Sequence, residues 1–145
     1  MCLLSYIPPG VMPVREHLEH GARLNPHGSG FALGYIAKHF TDPEKAIAQF
    51  MAHRERFLHL PALFHSRNAT GDSPVTPENI HPFEVNLPWG KAFVAHNGYL
   101  FKHEGDRSDS RIFAEEILPL YNMYRPRIAG SAGIPDGAEQ GGDPA

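Results

Sequence analysis

The spacing of apolar positions changes along the chain, and each change marks an element. Cys2 to Ile7 (CLLSYI) is a nearly continuous apolar run closed by Pro8-Pro9-Gly10, which predicts a buried first strand. From Pro13 to Leu24 the apolar residues Val14, Leu18 and Ala22 recur every four positions, the period of an amphipathic helix. Asn25 to Gly30 (NPHGSG) is a loop. Phe31 to Ile36 (FALGYI) is a second strand, with Phe31, Leu33 and Tyr35 on one face and Ala32, Gly34 and Ile36 on the other. Asp42-Pro43 is an N-cap followed by a proline in the first turn, and opens a helix to about Leu58. Its stripe is Ile47, Met51 and Leu58, widened by Phe50 and Phe57. Ala62 to Ser66 (ALFHS) is a short strand after Pro61. Residues 67–90 form a long polar loop with room for one short extended piece, and a loop of that length in a small domain tends to carry function. Lys91 to Ala95 (KAFVA) is a further strand.

Ser108 caps a third helix with Asp109 in its first turn. Ile112, Phe113, Ile117, Leu120, Tyr121 and Tyr124 give that helix a broad apolar face, and Pro119 should kink or end it near Leu118. The last stretch, AGSAGIPDGAEQGGDPA, has too little apolar content to bury a core. The expected organisation is therefore one domain over 1–128 and a disordered Gly/Pro/Ala-rich tail over 129–145.

Composition narrows the class. The 145 residues are 41% hydrophobic and 20% charged, as in an ordinary globular domain. No apolar run is long enough to span a membrane, and the first residues do not form a signal peptide. A single cysteine makes no internal disulfide, which fits a reducing, cytoplasmic setting. A net charge of −3 gives no general attraction to nucleic acid or anionic membrane. The ten histidines are scattered, without CxxC or HExxH spacing, so no metal or other cofactor is expected. Asn25 to Gly30 lacks both the GxGxxG and the P-loop pattern, so nucleotide binding is unsupported.

The candidate chemistry begins at Cys2. A lone Cys heading an apolar strand is commonly a small core hydrophobe. With Met1 removed, however, Cys2 would carry a free α-amine and a thiol on one residue. Their reference pKa values are about 7.7–8.0 and about 8.5, so the amine can take the thiol proton near neutral pH. Downstream, polar clusters sit at strand ends: His65 to Thr70, Asn79 to Phe83, Ala95 to Gly98, and Ser108 to Ser110. Asn97 offers an amide donor and Gly98 a closely approachable N–H, together an oxyanion hole. Arg67 offers a fork for a carboxylate, and Asp109 a partner for an ammonium group. Singly, each has an ordinary structural alternative: a turn, a surface ion pair, a helix N-terminus, a loop histidine.

As an ordered set, Cys2 after Met1, R-x-A-T at Arg67 to Thr70, N-x-H-P-F at Asn79 to Phe83, A-H-N-G at Ala95 to Gly98 and S-D-S at Ser108 to Ser110 resemble the class II glutamine amidotransferases. These belong to the N-terminal-nucleophile hydrolases. The Gly-rich NPHGSGF loop is similar to the family's segment near the nucleophile, and the resemblance covers about residues 2–118.

The resemblance implies an α+β fold of the Ntn-hydrolase type, a four-layer αββα sandwich, here cut short on its C-terminal side. It implies Cys2 as nucleophile, Asn97 and Gly98 as oxyanion donors, Arg67 on the substrate α-carboxylate and Asp109 on its α-ammonium, with Thr70 and His81 shaping the pocket. The substrate would be L-glutamine, and the ammonia would pass to a separate acceptor protein, since no acceptor domain is present. Two features depart from the family: Asn68 stands where many members have an aromatic residue, and few residues follow the S-D-S helix. Incomplete sheets would leave an edge open to self-association or to a partner. The alternatives are a glutamine-binding or regulatory module, and an N-terminal-nucleophile amidohydrolase acting on another small amide.

Overall fold

The computed structural model describes residues 2–69, 73–88, 90–102 and 105–120. Met1, Thr70 and the whole 129–145 tail lie outside the described residues. The fold is α+β, built from two antiparallel sheets and helices. The first sheet has the order β1-β4-β2-β3, with β1 Leu3–Ile7, β2 Ser29–Leu33, β3 Ile36–Phe40 and β4 Ala62–Ser66. The second is the pair β5 Phe83–Leu87 and β6 Gly90–Val94. Helices α1 (Arg15–Leu24) and α2 (Pro43–Arg56) pack on the first sheet, and α3 starts at Asp109–Ile112.

The first sheet's core is aromatic. Phe31, Phe50 and Phe64 are fully buried, with ring centroids 5.3 Å (Phe31–Phe50) and 5.1 Å (Phe50–Phe64) apart. Leu18 and Ala22 of α1 and Ile47 of α2 close the same cluster, as their spacing predicts. Asp42 caps α2 by accepting from the N–H groups of Glu44 (3.0 Å) and Lys45 (3.2 Å). Among the described residues, no helix is long and apolar enough to cross a membrane.

Several expectations are corrected. Residues 31–36 are not one strand. Leu33 pairs with Ile36, so Gly34-Tyr35 is a two-residue hairpin loop and Tyr35 is exposed rather than aligned with Phe31. The Asn25–Gly30 loop ends two residues early, because Ser29 and Gly30 already pair with β4. The long loop 67–90 holds a 3-10 turn at Pro77–Asn79 and all of β5. Val14 and Leu58 are exposed at the ends of their helices rather than part of the stripes. In place of Leu58, α2 buries Arg54 completely. Arg54 donates from Nε to the Val11 carbonyl (2.9 Å) and from Nη2 to that of Pro8 (2.6 Å), and Nη1 reaches the carbonyls of Phe57 and Leu60. One guanidinium thus ties the chain after β1 to the end of α2.

The third helix continues through Leu118 to Leu120, the last described residue. It widens into a π-turn over Phe113–Ile117, where the Leu118 N–H bonds the Phe113 carbonyl five residues back. The extra residue in that turn rotates the rest of the helix by about 100°. Ala114 and Leu118 therefore pack on Phe83 and Val85, while Ile117 and Leu120 face outward. Tyr121 and Tyr124 lie outside the described residues.

Candidate active site

Register on the first sheet lines up Leu4, His65, Gly30 and His39 in one row across β1, β4, β2 and β3. The His81-Pro82 segment crosses that row. The His81 carbonyl comes so close to Gly30 that a Cβ there would collide with it, which is why glycine is needed. The Pro82 carbonyl accepts from His39 Nε2 at 2.7 Å, and the His81 ring tilts against His65 with centroids 4.3 Å apart. A loop from the second half of the chain is thereby fixed over the strand that leads into Arg67.

A cavity of about 570 Å³ opens beside this crossing, within the 300–1,000 Å³ usual for small-molecule sites. It brings together Cys2, Arg67, His81, His96, Gly98 and Asp109. Cys2 stands just before β1, and its sulfur is held by the main chain of Asn68. The Asn68 N–H donates to Sγ at 3.3 Å, and the Asn68 carbonyl accepts from it at 3.6 Å. The Asn68 segment is itself held by the Asn25–Gly30 turn: Arg67 N–H donates to the Gly28 carbonyl (2.8 Å), His27 N–H to that of Arg67 (3.0 Å), and Ala69 N–H to His27 Nδ1 (2.9 Å).

Arg67 is almost wholly buried, and burial pushes its pKa below the usual arginine value while Cys2 and Asp109 nearby pull it back up. Its Nη1 donates to the Pro74 carbonyl (2.7 Å) and its Nη2 to Ser73 Oγ (2.5 Å), which leaves three of its five N–H groups without a described partner. Asn97 Nδ2 donates one of its two hydrogens to the Cys2 carbonyl at 2.8 Å. Gly98 has φ +146°, a conformation open mainly to glycine, and follows directly at the cavity wall. Asp109 reaches the cavity but is already engaged. Oδ2 accepts from the Leu100 N–H (2.7 Å), and Oδ1 from the Ser110 N–H (2.7 Å) and hydroxyl (3.3 Å). Its carboxylate therefore pins the Gly98–Leu100 loop, with lone-pair capacity left on Oδ2.

Five of the seven residues singled out from the sequence line the cavity; Asn97 is exposed and does not line it but is tied to the Cys2 carbonyl, and Thr70 lies outside the described residues. The structure adds His65 and His96, which entered the sequence reading only as motif neighbours. His65 and His81 are both buried, and neither ring makes a hydrogen bond of ordinary geometry. Burial, then the positive charge of Arg67, pushes His65 down to about 4; burial, then the neighbouring histidines, pushes His81 down to about 2. Both rings are neutral at physiological pH, so neither adds a charge beside Arg67; the other lysine or arginine lining the cavity is Lys102. His96 Nδ1 meets Ser110 Oγ at 3.2 Å. Ser73 could not be found from sequence, because its contact with Arg67 is a tertiary one that no local pattern marks.

Among the described residues, no group of three His, Cys, Asp or Glu side chains is placed to hold a metal ion. No family model matches the chain, no curated protein is recognisably similar to it, and no solved structure matches it.

Proposed function

We propose that this chain is the glutamine-hydrolysing subunit of a class II amidotransferase, with Cys2 as an N-terminal nucleophile. The observation that carries the reading is a cavity in which Cys2 meets Arg67, Gly98 and Asp109, residues from distant parts of the sequence. Each supplies something that attack on an amide needs. The four-layer αββα architecture belongs to this proposal; two sheets with helices packed on them are compatible with it.

In the proposed reaction Met1 is absent, and the α-amine of Cys2 takes the thiol proton. Sulfur bonds to the side-chain amide carbon of glutamine, and the carbonyl pair moves onto oxygen. Asn97 Nδ2–H and Gly98 N–H stabilise that oxyanion, each donor contributing roughly 2.7–4 kcal/mol in comparable sites. The C–N bond breaks, nitrogen leaves with its electron pair and the proton from the α-ammonium, and ammonia departs. Water then cleaves the glutamyl thioester. The free N–H groups of Arg67 take the α-carboxylate and Asp109 Oδ2 takes the α-ammonium. The Asn68 departure is tolerated in this scheme, because its contacts with Cys2 come from the main chain. Ammonia would go to a separate acceptor protein.

The test is ammonia release from glutamine, with asparagine and Cys2→Ala as controls. Release from glutamine alone, lost in Cys2→Ala, supports the reading, and equal activity in the variant refutes it. Glutamine binding without ammonia release would identify a binding module instead. Arg67→Ala should raise KM by on the order of 10²-fold, the loss of a charge-assisted pair of about 3 kcal/mol. A fall in kcat at unchanged KM would remove Arg67 from the carboxylate role.

A further inference from the structure

The segment that holds the Cys2 sulfur is clamped on both sides by His27. Asn68, whose N–H donates to Sγ at 3.3 Å, stands between Arg67 and Ala69. On the Arg67 side the clamp is main chain alone: the His27 N–H donates to the Arg67 carbonyl at 3.0 Å, and the Arg67 N–H donates to the Gly28 carbonyl at 2.8 Å. On the Ala69 side it is the imidazole, with the Ala69 N–H donating to His27 Nδ1 at 2.9 Å. A main-chain N–H can only donate, so Nδ1 must offer a lone pair, and the neutral ring carries its hydrogen on Nε2. His39 and His53 are the reverse case. Their ring nitrogens meet the carbonyls of Pro82 and Gln49 and must donate, so a second proton leaves those bonds in place. A second proton on His27 goes to Nδ1, removes the acceptor and sets two N–H groups against each other. The residue is half-buried, within reach of solvent protons. The elements around its turn carry Arg23 at the end of α1, His39 on β3, Glu78 in the 3-10 turn, Arg67 and Cys2. Arg67 and His39 have their own side-chain partners, and Asp72 lies outside the described residues.

From this geometry we infer that His27, in its neutral form, is a positioning residue for the nucleophile: by holding Arg67 and Ala69 it keeps the Asn68 N–H on the Cys2 sulfur. An N–H bonded to sulfur favours the thiolate, the form that attacks. The catalytic consequence rests on the glutaminase reading, whereas the clamp rests on the hydrogen bonds alone. His27 itself touches no substrate and exchanges no proton with it. Once its ring is protonated, Asn68 is held from the Arg67 side only. Two conditions then govern attack: the Cys2 α-amine must be neutral to take the thiol proton, and His27 must be neutral to hold the amide that faces the sulfur.

The experiment compares wild type with His27→Asn and His27→Ala. Asparagine places a side-chain oxygen where Nδ1 stands, an acceptor that takes no proton in this range. The first arm is spectroscopic. The ¹⁵N spectrum of the neutral wild-type ring should show hydrogen on Nε2, and the Ala69 amide shift should move with the same midpoint as the ring. In His27→Asn the Ala69 amide should stay in place over that range. The second arm follows ammonia release from glutamine against pH. At alkaline pH, His27→Asn should match wild type, and His27→Ala should fall about 10-fold in kcat/KM, the loss of one neutral hydrogen bond. Where the ¹⁵N shifts show the ring protonated, wild type should stand about 10-fold below His27→Asn, because only the α-amine still titrates in the variant. A merely structural histidine would leave the ratio of the two enzymes independent of pH. A constant ratio, a neutral wild-type ring with hydrogen on Nδ1, or an Ala69 amide indifferent to the ring's titration overturns the inference. If His27→Asn does not fold, the wild-type spectra decide alone. Wild type that releases no ammonia overturns the glutaminase reading instead, and the spectra still decide the clamp.

Discussion

The two sheets of this protein are built to different standards. In the first, every residue of β2 is buried, and a phenylalanine cluster is enclosed by two helices. In the second, β6 buries no residue, and among the described residues the buried core is Phe83, Val85 and Ala114. The proposed site straddles the two. Cys2 and Arg67 stand on the well-packed half, whereas Gly98, Asp109 and His96 stand on the lean one. What the lean half lacks in apolar packing it replaces with polar ties. Asn79 is fully buried; it accepts from the Ser108 N–H at 2.8 Å and donates to the Asp106 carbonyl at 2.7 Å, fixing the chain as it enters α3. Cys2 thus leads into the packed sheet with its sulfur held by the Asn68 main chain, and the Asp109 side of the cavity is fixed by hydrogen bonds.

This contrast can be tested by stability measurements in urea. The largest effect should come from Phe64→Ala, at about 3–5 kcal/mol, because Phe64 fills the centre of the first core. A loss under about 1.5 kcal/mol would show that this half is not the rigid one. Next comes the seam between the halves, where His65 and His81 are held neutral with their folded pKa values at about 4 and about 2. The unfolded chain binds protons at both positions below about pH 6.5, whereas the folded chain does not until much lower pH. Stability should therefore fall as pH drops from 6.5 toward 4, approaching about 1.4 kcal/mol per pH unit for each group. His81→Phe should halve that slope, and an unchanged slope would place the titrating groups elsewhere. Asn79→Ala should cost about 2 kcal/mol, since it leaves the Ser108 N–H and the Asp106 carbonyl unpaired. Val85→Ala should cost least, about 1–2 kcal/mol for two methyl groups in a small cluster. If Val85→Ala proves costlier than Asn79→Ala, packing and not hydrogen bonding orders the lean half.

Legibility in the sequence divides along the same line. β1, β4, both long helices and the Asp42 cap could be read within a few residues, because each has a clear period, cap or proline boundary. The β2–β3 hairpin was hidden because Gly34-Tyr35 interrupts an apolar run without a polar break. β5 was foreseen only as one short extended piece somewhere in 67–90, because that Pro- and Asn-rich stretch gives no period to place Phe83–Leu87. Arg54 reads as a solvent-facing helix residue; its burial depends on carbonyls from Pro8, Val11 and Leu60, which no local pattern reveals. Most candidate site residues were legible because their motifs sit at strand ends. The engagement of Asp109 with Leu100 and Ser110, and the resulting orientation of His96, were not, since they depend on how one loop folds back onto α3.

The central claim is that Cys2 is an N-terminal nucleophile for glutamine. Its most direct test is treatment of the native protein with the glutamine analogue 6-diazo-5-oxo-L-norleucine, with mass analysis of the N-terminal peptide afterwards. The account expects a chain that begins at Cys2, carries one adduct on that residue, and is protected from labelling by glutamine. A chain that retains Met1, or label on any residue other than Cys2, would contradict it.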